Sequence, residues 1–97
     1  MLLTVLEATV TQESWPKLEK AYKEQIQHLE AGISQTFLLH DTRDTSVWRI
    51  ATIWKSREAL DEMRKLGTPK GVIMFREAGA EPKLNIFDIV AQAGPAS

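Results

Sequence analysis

The sequence predicts an α+β protein of the ferredoxin-like, split βαβ type, with a four-stranded antiparallel sheet and its helices on one face. Three observations point there. Apolar segments follow one another in the order strand, helix, strand, strand, helix, strand. The second and third strands are separated only by "DTRDTS", whose Asp and Thr side chains bond local backbone and so favour a hairpin. Each helical stretch runs out at a glycine: Gly32, Gly67 or Gly79. Ninety-seven residues suffice for one core and are too few for two, so residues 1–92 are read as one domain and 93–97 as a flexible C-terminal tail.

Residues 2–10 alternate, with Leu2, Leu6, Ala8 and Val10 on one side and Leu3, Val5, Glu7 and Thr9 on the other, which predicts the first strand. Ser14 then offers an N-cap oxygen and Pro16 a preset helical φ. Trp15, Leu18, Tyr22, Ile26 and Leu29 recur at spacings of three and four, which predicts an amphipathic helix ended by Gly32 in a left-handed conformation. "ISQTFLLH" predicts the second strand, with Ile33, Gln35, Phe37 and Leu39 opposed to Ser34, Thr36, Leu38 and His40. "VWRIATIW" predicts the third, with Trp48, Ile50, Thr52 and Trp54 on one face and Val47, Arg49, Ala51 and Ile53 on the other. Ser56 caps a helix over 57–66 that stops at Gly67. Thr68 and Pro69 read as a cap and first-turn pair for a short helix over 69–78, although "GVIMF" within it also fits a strand. "KLNIFDIV" predicts the last strand.

Both faces of the third strand are largely apolar, so the sheet is expected to be covered twice. Helices cover one face. The other carries Val5, Val47, Ala51 and Ile53, an apolar surface that a sheet-to-sheet homodimer would bury. Glu7 and Arg49 share that face on the two central strands. They form either an ion pair inside or at the rim of the interface, or two separate solvated charges.

Twelve basic and 13 acidic side chains leave no excess charge to attract phosphates or anionic lipid. An RNA-recognition module on this topology would need aromatic and basic residues interleaved on the central strands, and the first strand has no aromatic residue. With no cysteine, thiolate catalysis, disulfides and Cys-ligated metal are excluded. No apolar run approaches a bilayer span, and Glu7 interrupts what a signal peptide would keep apolar, so a cytoplasmic protein is expected. No G-x-S-x-G elbow, phosphate-binding glycine loop or metal-ligand spacing occurs, and no cofactor or metal is expected.

The stretch "RIATIWKSREALDEM" holds most of the remaining information: a strand ending in Trp54, the cap Ser56, then a helix carrying Leu60 and Met63. Its centre, "IWKSREAL" from Ile53 to Leu60, resembles the antibiotic biosynthesis monooxygenase domain family, and the order of elements resembles it over nearly the whole chain. The resemblance implies a dimeric α+β barrel, built by packing two sheets, with a small-molecule cavity between each sheet and its own helices. Its members include oxygenases that act on polycyclic phenols or quinols without flavin, metal or haem, and relatives that degrade haem. Two departures bear on chemistry. The family pattern commonly has Glu two residues before this tryptophan and His in the following helix, where this chain has Thr52 and Met63. Haem-cleaving members take an iron ligand from a histidine near the later helix, and residues 68–79 contain none.

The candidate ligand pocket comprises Trp48, Thr52, Trp54, Met63 and Tyr22. Trp48 and Trp54 form an aromatic wall for a flat ligand or belong to the core, with Trp48 the expected wall and Trp54 the expected core residue. Tyr22 either presents its hydroxyl to the cavity or lies partly exposed on its helix. His28 sits near a helix C-terminus, where the dipole favours a solvated imidazolium. His40 either caps the hairpin or reaches the cavity mouth. A substrate proton would have to go to His40, Asp88 or water. The resulting expectation is a cofactor-independent monooxygenase acting on an aromatic or quinone-type molecule. The alternative is a non-catalytic barrel that binds a small hydrophobic ligand, which Thr52 and Met63 serve without titrating.

Overall fold

The computed structural model describes residues 1–95. The elements are β1 (Leu2–Thr9), α1 (Trp15–Gln25), β2 (Ile33–His40), β3 (Val47–Trp54), α2 (Arg57–Lys65), α3 (Lys70–Glu77) and β4 (Lys83–Asp88). The strands form one antiparallel sheet in the order β2-β3-β1-β4, the ferredoxin-like arrangement. The hairpin between β2 and β3 closes as its composition suggests. Asp41 Oδ1 accepts from the backbone of Arg43 and Asp44, and Asp44 Oδ1 accepts from the backbone and hydroxyl of Ser46. Among the described residues no helix is long and apolar enough to cross a membrane.

One face of the sheet meets the helices. Leu6, Trp48 and Ile50 pack there with Leu18 of α1 and Phe75 of α3, the last two fully buried. A second cluster joins Leu2, Trp54 and Leu60 at the end of the sheet where α2 begins. Strand alternation sends Leu3, Val5, Ala51 and Ile53 to the opposite face. Phe37, Leu39 and Phe87 enlarge that open face and are each about half exposed.

Several local expectations are corrected. Ser14 stands at the N-cap position of α1, but it also closes a 3-10 turn over Gln12–Ser14 and its side-chain oxygen makes no capping bond. The helix does not run to Leu29, because it tightens into another 3-10 turn at Ile26–His28 and leaves in extended conformation. Gly32 is not left-handed. Among the described residues only Gly67 and Gly79 have positive φ, and these end α2 and α3 as expected. What requires glycine at 32 is proximity, since a Cβ there would lie 2.6 Å from Cβ of Ala59 on α2. Thr68 does not cap α3, whose preceding residue is Pro69, whereas Ser56 does cap α2, accepting from the Ala59 N–H at 3.1 Å. A register shift between Ile33 and Gln35 turns Ile33 to the helix side, opposite Trp54, where simple alternation had grouped it with Phe37. β4 ends at Asp88, two residues short of the expected run, although the Ile89 N–H still reaches the Met1 carbonyl at 3.1 Å. Of the expected tail, residues 96 and 97 lie outside the described residues.

Candidate functional site

A cavity opens between the helix-facing side of the sheet and the three helices. Its free space is about 800 Å³ with the mouth to solvent included, of which the centre of a water molecule can occupy about 110 Å³. Thr4, Thr52 and Trp54 line it from the sheet, Tyr22 from α1, Met63 from α2 and Met74 from α3. The approach of α3 to the floor is close: a Cβ on Gly71 would stand 2.7 Å from Cδ1 of Leu6.

The polar content of the inner wall is a row of hydroxyls. Thr36, Thr52 and Thr4 lie directly across from one another on β2, β3 and β1, so the sheet register sets them in line on the helix face. Tyr22 Oη donates to Thr36 Oγ1 at 3.2 Å, and Thr36 Oγ1 lies 3.3 Å from Thr52 Oγ1. At the far end Trp54 Nε1 donates to Thr4 Oγ1 at 2.9 Å, in a buried setting. Each hydroxyl has one proton to give. The Tyr22 proton and one of those on Thr36 and Thr52 are committed, which leaves Thr4 and one of Thr36 and Thr52 with a proton for an oxygen in the cavity.

Of the residues expected at the pocket, Tyr22, Thr52, Trp54 and Met63 all border this cavity. Trp48 does not, which corrects its placement at the wall. It lies under the other end of the helix layer, where its ring stacks on His40 at 4.0 Å and meets Trp15 at 5.9 Å; its Nε1 is buried with no partner among the described residues. Trp54 is both core and wall, 4% exposed yet bordering the free space. His40 and Asp88 lie outside the cavity. The His40 ring, held between Trp15 and Trp48, gives its Nε2 proton to the Thr45 carbonyl at 2.6 Å, so it caps the hairpin. Asp88 ends the edge strand, exposed. Sequence reading missed the threonine row, which depends on register, and the mouth residues Glu30, Arg64 and Lys70, which no local pattern singles out.

On the open face Arg49 binds two carboxylates. Its Nε donates to Glu7 Oε1 at 2.6 Å, and its Nη1 to Asp41 Oδ2 at 2.9 Å. Of the two alternatives for Glu7 and Arg49, the ion pair is the one present, with Asp41 of the hairpin as a third member. The backbone N–H of Asp44, the Arg49 guanidinium and the backbone N–H of Arg43 together hold the Asp41 carboxyl down at about 2.

No curated protein matches the chain by sequence. Solved structures do match it in fold. A protein from Deinococcus radiodurans assigned to the antibiotic biosynthesis monooxygenases superposes with a TM-score of 0.74 at 13% identity, covering 100% of both chains. The haem degrader MhuD from Mycobacterium tuberculosis, solved with two haems in its active site, gives 0.73 at 21% identity, covering 97% of this chain and 100% of that one. A protein from Nitrosomonas europaea with the same monooxygenase assignment gives 0.68 at 16%, covering 94% and 100%. At these identities the likeness carries the fold alone. The family profile described as antibiotic biosynthesis monooxygenase matches residues 1–68. With more than half of its length matched by that profile, this chain belongs to the antibiotic biosynthesis monooxygenase family.

Proposed function

We propose that the cavity binds a small aromatic or quinone-type molecule and that the protein oxidises it with dioxygen without a bound cofactor. The observation that carries this reading is the threonine row: hydroxyl donors aligned on the floor of a largely apolar cavity suit a flat ligand with one oxygen to place. The substrate, as its phenolate, supplies the electrons. The substrate loses two hydrogens, one from the ring carbon and one from its phenol oxygen; one atom of dioxygen becomes a carbonyl on that carbon and the other leaves as water, so no outside reductant is needed. The protein's residues bind, orient and dehydrate the anion. The uncommitted hydroxyl protons of the row donate to its oxygen and hold the charge in place. Neither His40 nor Asp88 reaches the cavity; His28 is the histidine that borders it, so the substrate's proton passes to His28 or to water at the mouth.

A second reading, a non-catalytic carrier of a small hydrophobic ligand, is favoured by one specific observation. Thr52 and Met63 border the cavity where the family pattern commonly has Glu and His, and neither titrates. Screening phenols and quinols by thermal shift, then following each binder with an oxygen electrode, separates the two. One oxygen consumed per substrate oxidised supports the oxygenase; binding with no oxygen uptake establishes the carrier.

In either case the open sheet face is the surface through which we expect a homodimer. Val5, Val47, Ala51 and Ile53 form its centre, Phe37, Leu39 and Phe87 extend it, and the Glu7, Arg49 and Asp41 cluster lies at one end. Phe37, Leu39 and Phe87, each about half exposed beside the partly covered Val5, Val47 and Ile53, favour a partner on this face.

A further inference from the structure

The mouth of the cavity carries charge that the threonine row does not use. Arg64 from the last turn of α2, Lys70 from the first turn of α3 and Glu30 from the connection between α1 and β2 all border it. Lys70 Nζ stands 3.7 Å from Glu30 Oε1, so these two offset each other. Arg64 is different. Among the described residues no carboxylate oxygen comes within 4.0 Å of it, whereas Lys70 and Glu30 stand beside one another. With His28, which also borders the cavity, counted neutral, two cations and one carboxylate leave one positive charge at its mouth, in a chain whose overall formal charge on the same count is −1.

We propose that the ligand is a flat apolar molecule with a carboxylate on its outer edge, bound by Arg64, while its inner oxygen meets the threonine row. This rests on the reading of the cavity as an aromatic-ligand site and adds the class of molecule it selects. A guanidinium grips a carboxylate through two parallel N–H bonds, which fixes direction as well as distance. An exposed arginine holds an anion weakly in water. A ligand seated in the cavity places its carboxylate at the apolar rim, where water is partly displaced and the same attraction is stronger. Lys70 is already matched by Glu30, so Arg64 alone has a charge to satisfy. The arrangement also orients the ligand: carboxylate outward, oxygen inward, the ring to be oxidised between.

The test compares anthraquinone-2-carboxylate with anthraquinone-2-carboxamide, two rings of one shape that do not turn over, by quenching of tryptophan fluorescence. The carboxylate is expected to bind about tenfold more tightly at low salt. That advantage should shrink at about 1 M salt, where screening acts over about 3 Å. Arg64→Ala should erase it, bringing the carboxylate down to the carboxamide's affinity, and Arg64→Lys should keep part of it. Equal binding of the two compounds to the unaltered protein would overturn the proposal, as would an equal loss for both in Arg64→Ala, and either result would leave the aromatic-ligand reading standing. If neither compound binds, that reading falls and the carboxylate subsite falls with it.

Discussion

Replacing Trp54 by Phe tests why a tryptophan ends the third strand. The indole is 4% exposed, packs with Leu2 and Leu60, and gives its Nε1 proton to Thr4 Oγ1 at 2.9 Å. Phe keeps much of the packing but loses the donor. The hydrogen bond itself contributes about 0.5–1.5 kcal/mol net. The smaller ring forfeits a further fraction of the 3–5 kcal/mol that a full tryptophan truncation costs, about 1–2 kcal/mol. Together these give about 1.5–3.5 kcal/mol, or a fall in melting temperature of roughly 5–30 °C for a chain of this size. Thr4→Val removes the acceptor and leaves a buried indole N–H unpaired, at a cost of about 1–3 kcal/mol. The double variant loses the bond only once, so a coupling energy of about 1 kcal/mol is expected. Urea denaturation followed by far-ultraviolet circular dichroism, at one fixed protein concentration, measures all four states. Losses that add to within about 0.3 kcal/mol would show that the bond stabilises nothing and that Trp54 is there for its volume alone.

Other consequences follow from the same geometry. Gly32→Ala drives a methyl to within 2.6 Å of Ala59 Cβ and should destabilise by about 1–3 kcal/mol in thermal melts, with Ala59→Gly recovering part of the loss. Ile53→Glu on the open sheet face should move size-exclusion elution from twice 11.0 kDa toward the monomer; an unaltered protein that already elutes as a stable monomer would contradict the sheet-to-sheet dimer. The Asp41 carboxyl titrates at about 2 in the folded chain against an ordinary 3.8, so its pairing favours folding above pH 3.8 and is lost as pH falls toward 2. Asp41→Asn should therefore flatten the pH dependence of the melting temperature across that window, and an unchanged slope would show that other carboxylates set it.

Much of the fold was legible because it rests on patterns of short range. The alternation in "VWRIATIW" assigned Thr52 and Trp54 to the helix side and Ile53 to the open side, and Gly67 and Gly79 marked helix ends through a conformation that glycine alone adopts readily. Gly32 carried the same local signal for a different reason, a close approach by α2 that only the tertiary structure reveals. The exchange of roles between Trp48 and Trp54 has a similar origin. Both lie on one strand face, and which of them borders free space depends on where the helices leave the sheet uncovered. The threonine row needed the register of three strands, and the bulge at Ile33 shows how one extra residue defeats simple alternation. Arg64 and Glu30 were invisible because isolated charges on a helix and a connecting segment resemble any solvated surface.

The most direct test is a crystal structure of the protein grown with a non-reacting hydroxyanthraquinone. The ligand is expected between the sheet and the helices, edge-on to Trp54, with one of its oxygens within hydrogen-bonding distance of Thr52 Oγ1 or Thr4 Oγ1. A ligand bound instead on the open sheet face, or one seated in the cavity with its oxygens turned away from the threonine row, would contradict the assignment of this site.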